Sequence, residues 1–239
     1  MTLEFHHTAA RIENGDILTD LSASEINRYV TSGDIVVVKR FFELDYLASL
    51  VTEVHTAFEG TEPRLLDFQW GCEDHWRIDN NPPKSSVPKI QSVYIAFSWN
   101  ARLPESLKVG KTLARFRNRL AGLDDDFGFR PSDDHIAMSV YQHYPKGGGF
   151  IGAHTDPIEP QKCVINLNLP GDFTSGGLFF DIDGEKFPAE SLSETGDLVI
   201  FRPDIYHGVD PIDPDQETDF SAVSGRWRMA SVLTENGQA

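Results

Sequence analysis

The sequence predicts a mainly β protein with flanking helices: a double-stranded β-helix, or jelly-roll, core with N-terminal helical support. Three observations point there. The second half of the chain is a succession of short β-prone runs separated by Gly, Pro and Asp clusters. The first half carries helical stripes around a single β-branched run. The length of 239 residues, 40% of them hydrophobic, suits one large domain spanning residues 1–239. Within it, residues 1–130 read as helix and strand support with a lid region, and residues 131–236 as the jelly-roll core.

Ser22 to Glu25 fits a capping box ahead of Ile26, Tyr29 and Val30, and Gly33 ends that short helix. Ile35 to Val38 is a β-branched run, expected as a buried strand. Leu44 to Phe58 is expected as a helix with Leu44, Leu47, Leu50, Val51, Val54 and Phe58 on one stripe. From Glu59 to Pro88 periodicity is lost, in a segment holding Trp70, Cys72, His75, Trp76, Asn80, Asn81, Pro82 and Pro83. It reads equally as a lid or binding loop and as an ordinary surface excursion. Ile90 to Trp99 suits helix and strand alike. Lys111 to Leu120 is expected as a helix stopped at Gly122, whose Lys111, Arg115, Arg117 and Arg119 read as a solvated face.

Eight strand-like runs follow: Ile136–Tyr144, Phe150–His154, Lys162–Leu169, Gly177–Ile182, Lys186–Phe187, Asp197–Phe201, Gly208–Val209 and Trp227–Leu233. Asp183-Gly184 between two of them signals a hairpin. A jelly roll is the commonest eight-stranded arrangement.

Twenty-one basic against 37 acidic residues give a formal net charge of −16. Such a surface repels phosphate backbones and anionic membranes, so neither nucleic acid nor membrane is an expected partner. It serves solubility, and leaves room for a local basic pocket that binds an anionic substrate. No apolar run is long enough to span a bilayer, and residues 1–16 lack the apolar core of a signal peptide. A cytoplasmic location is the expectation. Cys72 and Cys163 form no CxxC and no zinc spacing. Cys163 lies in an apolar run, as a small core residue would, whereas Cys72 lies in a polar stretch.

The chemistry concentrates in two places. His154 and Asp156 are two apart at the end of an expected strand, and extended chain sends such side chains to one side. His207 follows the run Asp197–Phe201, 53 residues beyond His154. Two imidazoles and a carboxylate on one face leave coordination positions open, as in the facial triad of non-haem iron(II) oxygenases. The alternative is three surface residues in turns. His6, His7, His55, His75, His135 and His143 lack this context; His75 and His143 alone stay under consideration.

From residue 136 to 233 the chain resembles the 2-oxoglutarate and iron(II)-dependent dioxygenase superfamily, in its prolyl-hydroxylase-like branch. The matching pieces occur in order. They are Tyr144-Pro-Lys-Gly147, His154-Thr-Asp156, Leu167-Asn168, Gly176-Gly177 before an apolar strand, Gly196-Asp-Leu198 and His207-Gly-Val209-Asp-Pro211. Last comes Arg228-Met-Ala-Ser231. The resemblance implies a hydroxylase that uses Fe(II), 2-oxoglutarate as cosubstrate and O2, releasing succinate and CO2. It implies His154, Asp156 and His207 as metal ligands and an arginine for the far carboxylate of 2-oxoglutarate. Arg228 fits that role better than Arg226, but the two are two apart and face one side. Tyr144 and Asn166 are further candidates for the cosubstrate. The acidic stretch Asp210 to Ser224 departs from the pattern and leaves the register of the arginine open. Halogenases of the superfamily carry Gly or Ala in place of the carboxylate, so Asp156 implies hydroxylation or a related oxidation. The expected substrate is a small molecule such as an amino acid or secondary metabolite. The rival readings are a cupin-type metal enzyme that does not use 2-oxoglutarate, a protein hydroxylase, and a non-enzymatic jelly-roll binding module.

Overall fold

A computed structural model of the chain describes residues 3–81 and 87–237. Three short strands open it, β1 (Phe5–Thr8), β2 (Ala10–Glu13) and β3 (Asp16–Thr19). None was legible in the sequence, because four residues are too few to show a period. Helix α1 (Ala23–Ser32) carries the expected capping box: Ser22 Oγ accepts from the Glu25 N–H, and the Glu25 carboxylate accepts from the Ser22 N–H at 2.8 Å. Gly33 ends the helix in the left-handed region at φ 95°, where a Cβ would be strained. Strand β4 (Ile35–Val38) is buried on both faces, as its unbroken β-branched run requires. In α2 (Leu44–Phe58), Leu47, Leu50, Val51, Val54 and Phe58 are buried. Leu44 stays exposed, because the stripe meets the core one turn later.

The remaining elements are β5 (His75–Asn81), β6 (Lys89–Phe97), α3 (Pro104–Ala121), β7 (His135–Pro145), β8 (Gly149–His154), β9 (Val164–Asn168), β10 (Gly177–Ile182), β11 (Glu185–Pro188), β12 (Leu198–Phe201), β13 (Tyr206–Ile212) and β14 (Gly225–Glu235). One wall runs β1-β4-β12-β9-β14-β7-β6, with β5 on the far side of β6. The facing wall is β8-β13-β10-β11. They join where β6 pairs with β8 at Lys89 and Ile90. Asp183 and Gly184 turn β10 into β11, both at positive φ, as a two-residue hairpin demands. This is the expected mainly β, jelly-roll architecture. The helices cover the outer face of the long wall, where Leu47, Leu50, Leu113 and Trp227 share one core cluster. Phe180, Val199 and Phe201 fill a second cluster with Ile35 and Val37.

Ile90 to Trp99, open between helix and strand, belongs mostly to β6, and two expectations need correction. Helix α3 begins at Pro104, seven positions before Lys111, and only part of its basic face is solvated. Arg117 is fully buried: it donates from Nη1 to Ser231 Oγ and from Nη2 to Asn118 Oδ1, both at 2.8 Å. The helix packs on β14 at that position, and charge alone does not reveal the packed face. Arg115 and Arg119 pair with Asp126 and Asp16 at the rim. The segment from Glu59 to Pro88 is not a loop throughout, since His75–Asn81 is strand β5. Its Pro82 and Pro83 lie outside the described residues. Among the described residues, no helix is long and apolar enough to cross a membrane.

Candidate metal centre

His154 ends β8 and His207 begins the pairing of β13, and the two stand directly opposite across the ladder. Residues so paired bring their side chains together regardless of their distance along the chain. Their ring centroids are 4.4 Å apart. The register shifts between His207 and Val209, so one residue of β13, Gly208, opposes two of β8; such bulges re-aim side chains beside functional sites. Gly208 permits the close approach. A Cβ there would lie 2.6 Å from the Ile151 carbonyl and 2.6 Å from the Phe179 ring.

Asp156 lies two residues beyond the strand end, in the loop that follows. Its backbone N–H donates to the Pro203 carbonyl at 2.9 Å, which ties it to the turn leading into His207. Its carboxylate oxygens stand 3.9 Å from His154 Nε2 and 3.4 Å from His207 Nε2. The ligating atoms of all three lie within 4.8 Å of one another.

Each imidazole has its far nitrogen engaged. His154 Nδ1 donates to the Gly152 carbonyl at 2.9 Å, and His207 Nδ1 to the Ile205 carbonyl at 3.0 Å. A carbonyl only accepts, so Nδ1 carries the proton and the Nε2 lone pair faces the cluster. Burial, with the adjacent His207, pushes the His154 imidazole down to about 4, which keeps it neutral at pH 7. Burial pushes the Asp156 carboxyl up, but the close approach of His207, with His154 and Arg228 nearby, outweighs it and holds it below the usual range. His207 Nε2 is buried with no hydrogen-bond partner. Two imidazoles and a carboxylate, with a buried ring nitrogen of His207 left without a hydrogen bond, form a donor set that fits a divalent iron with open positions.

The sequence-selected residues for the cosubstrate gather beside this cluster. Arg228 and Asn166 line a cavity of about 400 Å³ together with His154 and Asp156. Arg228 Nε and Asn166 Oδ1 are buried without partners. Arg226 is engaged at one nitrogen: its Nε lies 3.1 Å and 3.0 Å from the two Glu190 carboxylate oxygens, while its Nη1 is buried without a partner. Tyr144 is fully buried, packed with Ile151, Val209 and Ile212 below the Arg226 guanidinium, and its hydroxyl also lacks a partner. Buried polar atoms rarely go unpaired, and those of Arg228 and Asn166 belong to residues that line the same cavity.

His75 and His143 stay apart from the cluster. His75 is stacked against Phe68 and Phe97, while His143 lies on Trp227 at the opposite face of the wall. A second group, Glu4, His6 and Asp34, comes within ligating distance nearer the surface, but His6 is hydrogen-bonded to Asp34 and stacked on Tyr29. Sequence reasoning passed over four polar residues of the cavity wall, Arg77, Lys89, Gln91 and Gln142. Their signal was the alternation Lys89, Gln91, Val93, Ile95, readable only once β6 is known to be a strand.

The protein has the fold of the 2OG-Fe(II) oxygenases. A Pseudomonas putida prolyl-4-hydroxylase matches 90% of this chain over 100% of its own, with TM-score 0.54 and 16% identity. A 2OG-Fe(II) oxygenase family oxidoreductase from Burkholderia pseudomallei matches at 12% identity and TM-score 0.50, with 94% of both chains covered. A Neurospora crassa protein in complex with alpha-KG and thymine matches at 12% identity and TM-score 0.54, over 90% of this chain and 81% of that one. No family model matches the sequence, and no curated protein matches it.

Proposed function

We propose that this protein is an iron(II)- and 2-oxoglutarate-dependent dioxygenase that hydroxylates a small molecule, releasing succinate and CO2. The observation that carries the reading is the cluster of His154, Asp156 and His207, with both imidazole tautomers set by backbone carbonyls. These three residues hold the metal, and Arg228 takes the far carboxylate of the cosubstrate through its guanidinium fork. Asn166 and Tyr144 supply further hydrogen bonds to the same molecule. When bound, iron(II) and 2-oxoglutarate supply activated oxygen for attack on a C–H bond. The chain's own contribution is orientation and exclusion of water. The Gly152 and Ile205 carbonyls fix the two imidazole rings, and the apolar strip Val93, Ile95, Met138 and Val140 shields one side of the cavity.

Arg228 is favoured over Arg226 because it lines the cavity with His154 and Asp156, whereas Arg226 lies outside that lining with its Nε on Glu190, although each arginine keeps one buried nitrogen unpaired. The fold supports the choice of metal and cosubstrate against a cupin-type centre. The small-molecule reading rests on the size of the cavity, about 400 Å³. The test is anaerobic titration with iron(II) and 2-oxoglutarate, followed by detection of succinate under air. A chain that takes up neither is not a dioxygenase of this kind.

A further inference from the structure

Strand pairing sets four cavity residues in one rung. Arg77 on β5 pairs with Val93 on β6, Val93 with Gln142 on β7, and Gln142 with Arg228 on β14. All four line the cavity. Three strand spacings separate the two arginines, about 14 Å along the rung. Arg228 thus lies towards the β9 side and Arg77 at the opposite end.

The Arg77 end is built. Arg77 Nε donates to Asp79 Oδ1 at 3.1 Å, and Gln91 Nε2 donates to Asp79 Oδ2 at 2.9 Å. Gln142 Nε2 in turn donates to Gln91 Oε1 at 3.1 Å. Lys89 Nζ stands 3.7 Å from Asp79 Oδ2. One carboxylate therefore answers two cations, which leaves a positive excess on this wall. Asp79 engages only Nε of the guanidinium; among the described residues neither terminal nitrogen of Arg77 has an acceptor. A guanidinium held at Nε presents its other donors in fixed geometry, the arrangement that captures a carboxylate. The wall is also an exception within a chain of net charge −16. A positive patch inside a cavity of low dielectric acts on a ligand far more strongly than the screened surface does.

We propose that the substrate is a monocarboxylate with an apolar body, its carboxylate held by Arg77 and Lys89 and its body lying along Val93, Ile95, Met138, Val140 and Val232 towards the metal centre. This rests on the dioxygenase reading. In that reading 2-oxoglutarate spends one carboxylate at the metal and the other on Arg228, so it has none left for Arg77. The adjoining strip is apolar, which suits a hydrocarbon body and not a second charged end.

The test uses the full chain loaded anaerobically with iron(II) and saturated with 2-oxoglutarate, so that the cosubstrate does not compete. The probes are 4-methylpentanoate, phenylacetate and N-acetyl-leucine, each against its primary amide, read by titration calorimetry and thermal melting. At least one acid is expected to bind about 10- to 100-fold tighter than its amide, the usual worth of a hydrogen bond to a charged group. Arg77→Gln abolishes that preference, Lys89→Gln weakens it, and Arg77→Lys restores part of it. All three variants keep wild-type affinity for iron(II) and 2-oxoglutarate. Equal binding of acid and amide, or a preference that survives Arg77→Gln, overturns the proposal, as does failure of every acid to bind at about 10 mM. A wild-type chain that does not load iron(II) and 2-oxoglutarate overturns the dioxygenase reading itself. Normal loading without acid preference removes the substrate class alone.

Discussion

Two arginines are buried on opposite faces of the same wall, and their surroundings differ in kind. Arg117 reaches β14 from the helical side and finds neutral oxygens, Ser231 Oγ and Asn118 Oδ1, while Asn118 is itself tied to the Asp125 and Phe127 carbonyls. Arg228, three residues before Ser231 and on the cavity side, keeps a buried Nε with no partner. Burial depresses Arg117 to about 9, yet it remains charged at neutral pH within a closed set of hydrogen bonds. A buried cation with its bonds made is architecture. A buried cation with a bond unmade, beside other unpaired polar atoms, is a place for a ligand.

The sharpest break of that contrast comes at the cavity face. Replacing His154, Asp156 or His207 by Ala is expected to lower turnover about 1,000-fold or more through loss of metal. The histidine variants also lose the Nδ1 bonds to the Gly152 and Ile205 carbonyls, so metal binding is measured beside melting to separate loss of metal from loss of stability. Full activity in all three variants would remove the metal centre. On the helical face the effects reverse. Arg117→Ala should cost about 3–5 kcal/mol of stability, from the void and from two stranded oxygens, and leave affinity for iron(II) and 2-oxoglutarate unchanged. Denaturant unfolding measures the first and calorimetry the second; an altered cosubstrate affinity would dissolve the distinction between the faces.

Arg228→Ala is expected to weaken 2-oxoglutarate by about 3 kcal/mol while iron still binds. Arg226→Ala should instead lower stability, because Glu190 loses its partner. If Arg226→Ala alone abolishes cosubstrate binding, the anchoring role moves two residues back.

The smallest effect concerns acid. His143 is buried, donates from Nε2 to the Ser224 carbonyl, keeps Nδ1 without a partner among the described residues, and is pushed by burial down to about 4. Unfolded, it returns to about 6.5. The unfolded chain thus binds the extra proton first as pH falls, so stability is full above pH 6.5 and declines between there and about 4. His143→Phe should flatten this acid limb by about 1–2 kcal/mol, with His154 supplying what remains. An unchanged limb in equilibrium unfolding across that range would show that His143 is not held neutral.

The legible parts of the molecule share a cause. The capping box at Ser22, the β-branched run at Ile35, the Asp183-Gly184 turn and the HxD pair are each written in a few adjacent residues. What the sequence hid depends on partners far along the chain. Lys89, Gln91, Val93 and Ile95 alternate, but with period and face undecided their polar members could not be assigned to the cavity. Arg117 carried no mark separating it from Arg115 and Arg119, because burial there is decided by β14, more than a hundred residues on. The commitment of Arg226 to Glu190 was likewise invisible, since it spans 36 residues and crosses from a 3-10 turn to a strand.

Strand β14 lies between β9 and β7 although it is the last strand in chain order. During synthesis from the N-terminus, β7 and β9 both emerge with their inner edges open, and neither closes until β14 slides between them. The long wall therefore closes at its middle, once β14 is available. Until then the nascent chain shows two unpaired strand edges, the kind of surface that recruits other chains or a chaperone. Arg228 rides on that closing strand, so on the proposed reading a chain without β14 lacks a complete site. Competence to bind 2-oxoglutarate would then appear late and all at once, as a marker that the wall has closed.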